Sequence, residues 1–252
     1  MNDAAMIKDT VLITGGTGAI GAALCKQFDA DGYKVIANCH PSNVKRGWTV
    51  VEQLKFSGVD VELVAFDVTD PDACESAIAD IDSRIGPIAV VVNAAGITRD
   101  APLAHLEPAE WTAVISTNLD GVYNVSRPAI APMSQRKFGR IINISSVNGQ
   151  RGQIGQTNYS AAKAGMTGFT KALAREVARD GITVNSVSPG FVQSPTIQSV
   201  TEAERETIVK QIPVGRFAEP EEIARAVSFL ANINSGYITG TDLSVNGGYH
   251  IG

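Results

Sequence analysis

The chain has 252 residues, 44% hydrophobic and 19% charged, with 24 glycines and 11 prolines; this mixture excludes disordered, collagen-like and fibrous proteins. Its 21 Lys and Arg against 26 Asp and Glu give a net charge of −5, so no overall positive field gathers nucleic acid or anionic lipid, and a small-molecule partner is expected. The three cysteines, Cys25, Cys39 and Cys74, suit neither a disulfide framework nor a metal cluster and point to a reducing cytoplasm.

The first nine residues lack the basic start and apolar run of a secretory signal. Strand-like β-branched runs then alternate with stretches of helical period: strand 10–14, helix 20–30, strand 34–39, helix 44–57, strand 61–66, helix 70–85, strand 88–92. Thr69-Asp70-Pro71 supplies an N-cap and a first-turn proline for the third helix. A long helix over 109–134, strand 140–144, helix 158–178, strand 182–187, helix 220–231 and strand 243–245 follow. Apolar runs such as 88–92 stop far short of the roughly 20 residues that cross a bilayer. The early strands are nearly all apolar, as in a parallel sheet covered on both faces, so the expectation is a single α/β domain over 1–252. It is a Rossmann-like, doubly wound parallel sheet with helices on both faces. Residues 191–211 read as an irregular stretch that could form a lid.

Between the first strand and first helix stands Thr14-Gly15-Gly16-Thr17-Gly18-Ala19-Ile20-Gly21. Glycines there let backbone amides at a helix N-terminus approach a diphosphate; the alternative is a plain tight turn. An NAD site usually carries an acidic side chain at the end of the second strand, to hold a ribose hydroxyl. Here that place reads Asn38-Cys39-His40, followed by Lys45 and Arg46, which suits the extra phosphate of NADPH. Solvation of a helix start is the other reading of Lys45 and Arg46, and His40 stays open between the two.

Tyr159 and Lys163 are four apart in a helical stretch and share a face. A phenol titrates near 10 when free, and an adjacent ammonium that stabilises phenolate brings it toward the working range of a proton donor. Ser145 and Ser146 lie where strand 140–144 ends, at the edge where open α/β sheets bind ligands; each could hold a substrate oxygen or cap a turn. No cluster of metal-ligand spacing is visible, and no metal is expected.

Thr14-Gly15 with Ala19 and Gly21, Asn93-Ala94-Ala95-Gly96, Asn118, Ser146, Tyr159, Lys163 and Pro189-Gly190 resemble, in order and over essentially the whole chain, the short-chain dehydrogenase/reductase pattern. Within it, the run from Ser145 to Ser160 and the closing Asn246-Gly247-Gly248-Tyr249-His250 are similar to the acetoacetyl-CoA reductases of polyhydroxyalkanoate synthesis, themselves similar to 3-oxoacyl-carrier-protein reductases. The resemblance implies NADPH-dependent reduction of acetoacetyl-CoA to (R)-3-hydroxybutyryl-CoA. It implies that Tyr159 protonates the carbonyl, Ser146 bonds that oxygen, Lys163 binds the nicotinamide ribose and lowers the phenol pKa, and Asn118 supports Lys163 through water. Gly15, Gly16, Thr17, Ala19, Ile20 and Gly21 would hold the diphosphate and ribose. Asp67 and Val68 would flank the adenine, with Asn93, Ala94, Ala95 and Gly96 against the cofactor and Pro189, Gly190 and Val192 by the nicotinamide. Asp67 reads equally as a helix cap, and Asn93 as a partner of strand-end backbone groups. Asp100, Gln153, Gln156 and Phe191 would face the acyl-CoA, although the two glutamines could be ordinary loop solvation.

Departures from the family pattern carry expectations too. Ala19 replaces a glycine and requires a negative φ there. Gly18 stands where a basic residue often sits, Phe191 where some relatives have tyrosine, and Ser194 where threonine is frequent. A carrier-protein reductase needs a basic docking patch, which Arg136, Lys137 and Arg140 could supply, whereas Asp180 is a poor carrier contact. A dinucleotide-sensing regulator without turnover is the third reading, because fold alone never establishes catalysis. Relatives of this kind assemble as homotetramers, and the helices at 109–134 and 158–178 are the expected interface.

Overall fold

Seven parallel strands form one sheet in the order β3-β2-β1-β4-β5-β6-β7. They are β1 (Thr10–Thr14), β2 (Lys34–Cys39), β3 (Val61–Ala65), β4 (Ile88–Asn93), β5 (Gly139–Ile144), β6 (Ile182–Pro189) and β7 (Asp242–Val245). The structure, a computed structural model, describes residues 9–198 and 201–252. Most of the segment on which the secretory-signal expectation rests, residues 1–8, and Ser199 and Val200 of the expected lid lie outside the described residues.

Alternation along each strand divides the core in two. Val11 and Ile13 of β1 face one side with Leu24 and Phe28 of α1 (Ala19–Ala30), Val51 and Leu54 of α2 (Val44–Phe56) and Ile223 and Val227 of α10 (Pro220–Ala231). Leu12, between them, faces the other side with Cys74, Ile78 and Ile81 of α3 (Pro71–Arg84), Val125 and Met133 of α5 (Gly121–Arg136) and Ala174 and Val177 of α7 (Thr157–Val177). Both faces are therefore dry, and the strands read as apolar runs for that reason. Asp70 caps α3 as its sequence indicates, accepting from the N–H groups of Asp72 and Ala73.

Two of the expected segments differ in the structure. The single helix expected over 109–134 is α4 (Pro108–Ile115), a π turn at Ser116–Asp120, and α5. The residue spared by that wider turn is used: the side-chain amide of Asn118 donates to Val114 O and Ile97 O, both at 2.9 Å. Residues 191–211 are not irregular, since α8 (Pro195–Gln198) and α9 (Glu202–Val209) lie in them, α9 opened by a reciprocal Thr201–Glu204 capping box.

The sheet reverses its winding between β1 and β4, so the loops after these strands open a crevice where a ligand binds. Its floor depends on close backbone approach. A Cβ on Gly21 would stand 2.2 Å from Gly15 O and one on Gly16 2.8 Å from Ala37 Cα, so α1 can pack on the first loop only without side chains there. Gly21→Ala is expected to destabilise the chain by about 3 kcal/mol, at the upper end for overpacking. Urea denaturation checks this, and an unmoved midpoint would contradict the packing.

Candidate active site

A cleft of about 710 Å3 opens over the carboxyl ends of β1 to β4. Gly15, Thr17 and Gly18 line it from the first loop, Asn38, His40, Ser42, Asn43 and Arg46 from the end of β2, and Asp67, Val68 and Thr69 after β3. Ala94, Ala95 and Gly96 line it after β4. Helix α1 begins here with no side-chain cap and no acidic residue in its first turn, so its N-terminal amides suit an anion. Ala19, Ile20 and Gly21 form that first turn; the positive-φ non-glycine among the described residues is Lys137, so the alanine at 19 is unstrained.

The loop is braced by residues whose role the sequence alone did not reveal. Asn38 takes Gly15 N–H on its side-chain oxygen (3.3 Å) and Gly16 N–H on its carbonyl (2.9 Å), while its amide donates to Phe66 O. Thr14 Oγ1 accepts from the N–H groups of Ala94 and Ala95 at 3.0 and 3.1 Å, tying the loops after β1 and β4 together. The side chain of Asn93 turns away from the cleft and donates to Ser126 Oγ and Asn143 Oδ1, so this residue is a buried brace between β4, β5 and α5.

At the end of β2, Ser42 N–H donates to His40 Nδ1, which places the ring hydrogen on Nε2, 3.2 Å from Asp67 Oδ2. Burial pushes the Asp67 carboxyl up, but bonds from the Thr69 N–H and hydroxyl and from His40 outweigh it and hold it below the usual carboxylate range. Asp67 therefore serves the cleft wall and not the α3 cap. Both residues of the first turn of α2 are exposed, but Arg46 lines the cleft and Lys45 does not. Cations at the start of a helix oppose its dipole, and Asn43 makes no capping bond, so this end of α2 favours an anion.

The reacting groups converge at the next strand end. Ser146 follows β5 and caps the short α6 (Val147–Arg151), its Oγ accepting from Asn148 N–H at 3.1 Å. That leaves the hydroxyl hydrogen free to donate elsewhere. Ser145 is a brace, donating to Lys163 O. Tyr159 and Lys163 share one face of α7, with Nζ 5.5 Å from the centre of the phenol ring. Burial raises the phenol, the bond with the Ser146 hydroxyl pulls it down and the Asp100 charge pushes it up, leaving it above its ordinary value. The lowering of this phenol by Lys163, expected from the spacing, is not among its causes, because the Lys163 amine is itself brought down to about 7 by burial and donates to Ile144 O at 2.6 Å.

Asn118 Oδ1 is buried with no hydrogen-bond partner among the described residues. It stands 2.6 Å from where a Cβ on Gly96 would lie, with Lys163 Nζ 3.8 Å from the same point. An unpaired acceptor beside a buried amine is the place for a bridging water, as the family resemblance implies.

Of the four residues expected to face substrate, the structure brings two together. Gln156 Nε2 donates to Asp100 Oδ2 at 2.8 Å, and Gln153 is exposed in the same turn. Phe191 lies apart in an aromatic group, 5.2 Å from Tyr249 and 6.1 Å from Phe217, and Arg151 stacks on Tyr249. Pro189 ends β6, and it, Gly190 and Val192 just beyond do not line the main cleft; Gly190 N–H donates to Val245 O, and a Cβ there would meet Asn246 Cα at 2.9 Å.

The cleft fits a dinucleotide: an uncapped helix N-terminus, a floor free of side chains, cationic Arg46 at one end and the buried Asn118 and Lys163 pair at the other. No group of three or more His, Cys, Asp or Glu side chains able to hold a metal is present among the described residues, and no described helix is long and apolar enough to cross a membrane.

A parallel, doubly wound sheet with a hydroxyl, a phenol and an amine at one end of its dinucleotide cleft defines an oxidoreductase acting on a carbonyl or alcohol carbon. The chain belongs to the short chain dehydrogenase family, whose pattern matches residues 9–205. It is 48% identical over 237 residues to the acetoacetyl-CoA reductase of Allochromatium vinosum, covering 94% of this chain and 96% of the relative. It is 45% identical over 248 residues to the acetoacetyl-CoA reductase of Cupriavidus necator, covering 98% and 100%. Identity to the 3-oxoacyl-[acyl-carrier-protein] reductase of Pseudomonas aeruginosa is 41% over 240 residues, covering 95% and 96%.

Proposed function

We propose that the protein reduces the 3-oxo group of acetoacetyl-CoA to (R)-3-hydroxybutyryl-CoA with NADPH. The reading draws on the near full-length similarity to enzymes of that name and on the uncharged end of β2, where Arg46, Ser42 and Asn43 line the cleft in place of a carboxylate. The dinucleotide would be held by residues 15–21, by His40, Arg46, Asp67 and Val68, by residues 94–96 and by Lys163. The chemistry a reduced nicotinamide supplies when bound there is hydride donation to a carbonyl carbon.

The remaining work falls to side chains of this chain. The Ser146 hydroxyl donates to the carbonyl oxygen as negative charge grows on it, and the Tyr159 phenol, kept protonated by its surroundings, delivers the proton. Lys163 holds the ribose and, once protonated, steadies the phenolate left behind. Asn118 keeps the water that links Lys163 to the interior. Asp100, Gln153 and Gln156 position the thioester.

One observation favours the CoA ester over a carrier-protein ester. The basic patch that carrier docking requires is already engaged: Lys137 pairs with Asp180 at 2.5 Å, and Arg136 contacts Asp82 and Ile88 O. Arg140 is buried with its guanidinium on the carbonyls of Gly139, Gly181 and Ile233. Of the three residues that could supply the patch, Arg140 is therefore withdrawn from the surface, and Arg136 and Lys137 stand in ion pairs. Comparing kcat/KM on acetoacetyl-CoA and on the same acyl group carried by acyl carrier protein tests the preference; a carrier ester used equally well would overturn it.

The reading brings with it a homotetramer, supported by the exposed Trp111 and Tyr123 on α4 and α5, and a cytoplasmic setting, which three buried free thiols suit. Sedimentation equilibrium and fractionation test these two points.

A further inference from the structure

We propose that Asn148, outside every role assigned above, is a positioning residue that fixes the donor and acceptor sense of the Gln156–Asp100 pair and thereby sets affinity for the acyl thioester; the inference rests on the reading of this face as the acyl-CoA site. Asn148 Nδ2 donates to Gln156 Oε1 at 2.9 Å, and Gln156 Nε2 donates to Asp100 Oδ2 at 2.8 Å. A glutamine amide has two ends of nearly equal shape, and its orientation is decided by its partners. With a donor at one end and an acceptor-only carboxylate at the other, the Gln156 amide has one orientation. It presents its remaining N–H, and not its oxygen, beside Asp100, which is what an incoming thioester or pantetheine carbonyl needs.

Asn148 is placed for this by the catalytic elements themselves. Its own N–H donates to Ser146 Oγ at the start of α6. Helix α6 lies against α7, where a Cβ on Gly149 would stand 2.8 Å from Lys163 Cβ. The loop that carries Asp100 is fastened to the same turn, with Ala101 N–H donating to Gly155 O and Asn158 Nδ2 to Arg99 O, both at 2.9 Å. The side chain also carries an uncompensated cost: Asn148 Oδ1 is buried without a partner among the described residues. An apolar side chain of similar volume would avoid that, so the Nδ2 donor is the feature the fold retains.

The test compares Asn148→Ala, Asn148→Asp, Gln156→Ala and the double variant Asn148→Ala/Gln156→Ala, reading KM for acetoacetyl-CoA, kcat, NADPH affinity by fluorescence, and Tm. Asn148→Ala should raise KM about tenfold with kcat and NADPH affinity within about twofold of wild type, the upper end for one hydrogen bond between neutral groups. The isosteric Asn148→Asp should raise KM further, because a carboxylate cannot donate to Gln156 Oε1 and adds a second negative charge to the network that ends on Asp100. The double variant should be no worse than Gln156→Ala. An Asn148→Asp enzyme with wild-type KM, additive KM effects in the double variant, or a loss shared equally by kcat and NADPH affinity would overturn the inference. Wild-type turnover separates the two levels: none on acetoacetyl-CoA would overturn the substrate reading itself, whereas normal turnover with unmoved variants would overturn the role of Asn148 alone.

Discussion

Tyr159→Phe is expected to lower kcat for carbonyl reduction by about 10⁴-fold, the upper end for loss of a general acid, with NADPH affinity within about twofold of wild type. The phenol is hydrogen-bonded to the Ser146 hydroxyl, and its surroundings favour the protonated form at neutral pH. Phenylalanine keeps the ring, so the helix packing and the Lys163 contact survive while the proton is lost. Stopped-flow or steady-state rates together with fluorescence titration of NADPH check it. Turnover within about tenfold of wild type would mean that another group delivers the proton. The pH profile carries the same logic with a sign: Asp100 pushes the phenol up, so Asp100→Asn should move the basic limb of kcat to lower pH.

Lys163→Met should cost about 10³-fold in kcat/KM without loss of stability. The side chain is buried, and burial brings its amine down to about 7, whereas in the unfolded chain it titrates near 10.4. Between those values the unfolded state binds a proton at Lys163 that the native state lacks, so the Lys163 contribution to stability rises with pH across this window and is lost as pH falls to about 7. Methionine has no such linkage. The variant should therefore unfold at no lower temperature than wild type at pH 7, and the stability of wild type relative to the variant should grow between pH 7 and 10, the buried thiols acting equally in both. The linked expectation for ligand binding is that NADPH affinity of the wild type falls as pH rises above about 7, because an anionic dinucleotide favours the ammonium form. Calorimetric scans across pH check the first, and titrations in the same buffers the second. A wild-type-minus-variant difference that stays constant across this window would contradict the assignment of Lys163 as a buried, titrating amine.

The strands and most helices were legible in the sequence because both faces of the sheet are dry, so β-branched runs such as Val35 to Cys39 and Ile88 to Val92 carry few polar residues. The π turn at Ser116–Asp120 was not, because one extra residue in a turn barely disturbs a helical period and Asn118 looks like any helix polar residue until its bonds to Val114 O and Ile97 O are seen. The reactive set of Ser146, Tyr159 and Lys163 could be found from spacing, since two of its members share one helix. The state of that set could not: burial brings the Lys163 amine down to about 7 and the side chain donates to Ile144 O, which no spacing encodes. Helix phase separated Lys45 from Arg46, and Arg136 and Lys137 pair with partners distant in sequence, Asp82 and Asp180. Asn38 and Asn148 were passed over for the same reason, since each acts through a side-chain amide whose partner lies in another loop.

Initial rates of acetoacetyl-CoA reduction with NADPH and with NADH, measured side by side on the purified protein, test the central claim most directly. The account predicts fast turnover with NADPH and a kcat/KM at least about tenfold lower with NADH, the discrimination expected from one charge-assisted phosphate contact at Arg46. No turnover with either dinucleotide, or a preference for NADH, would contradict it.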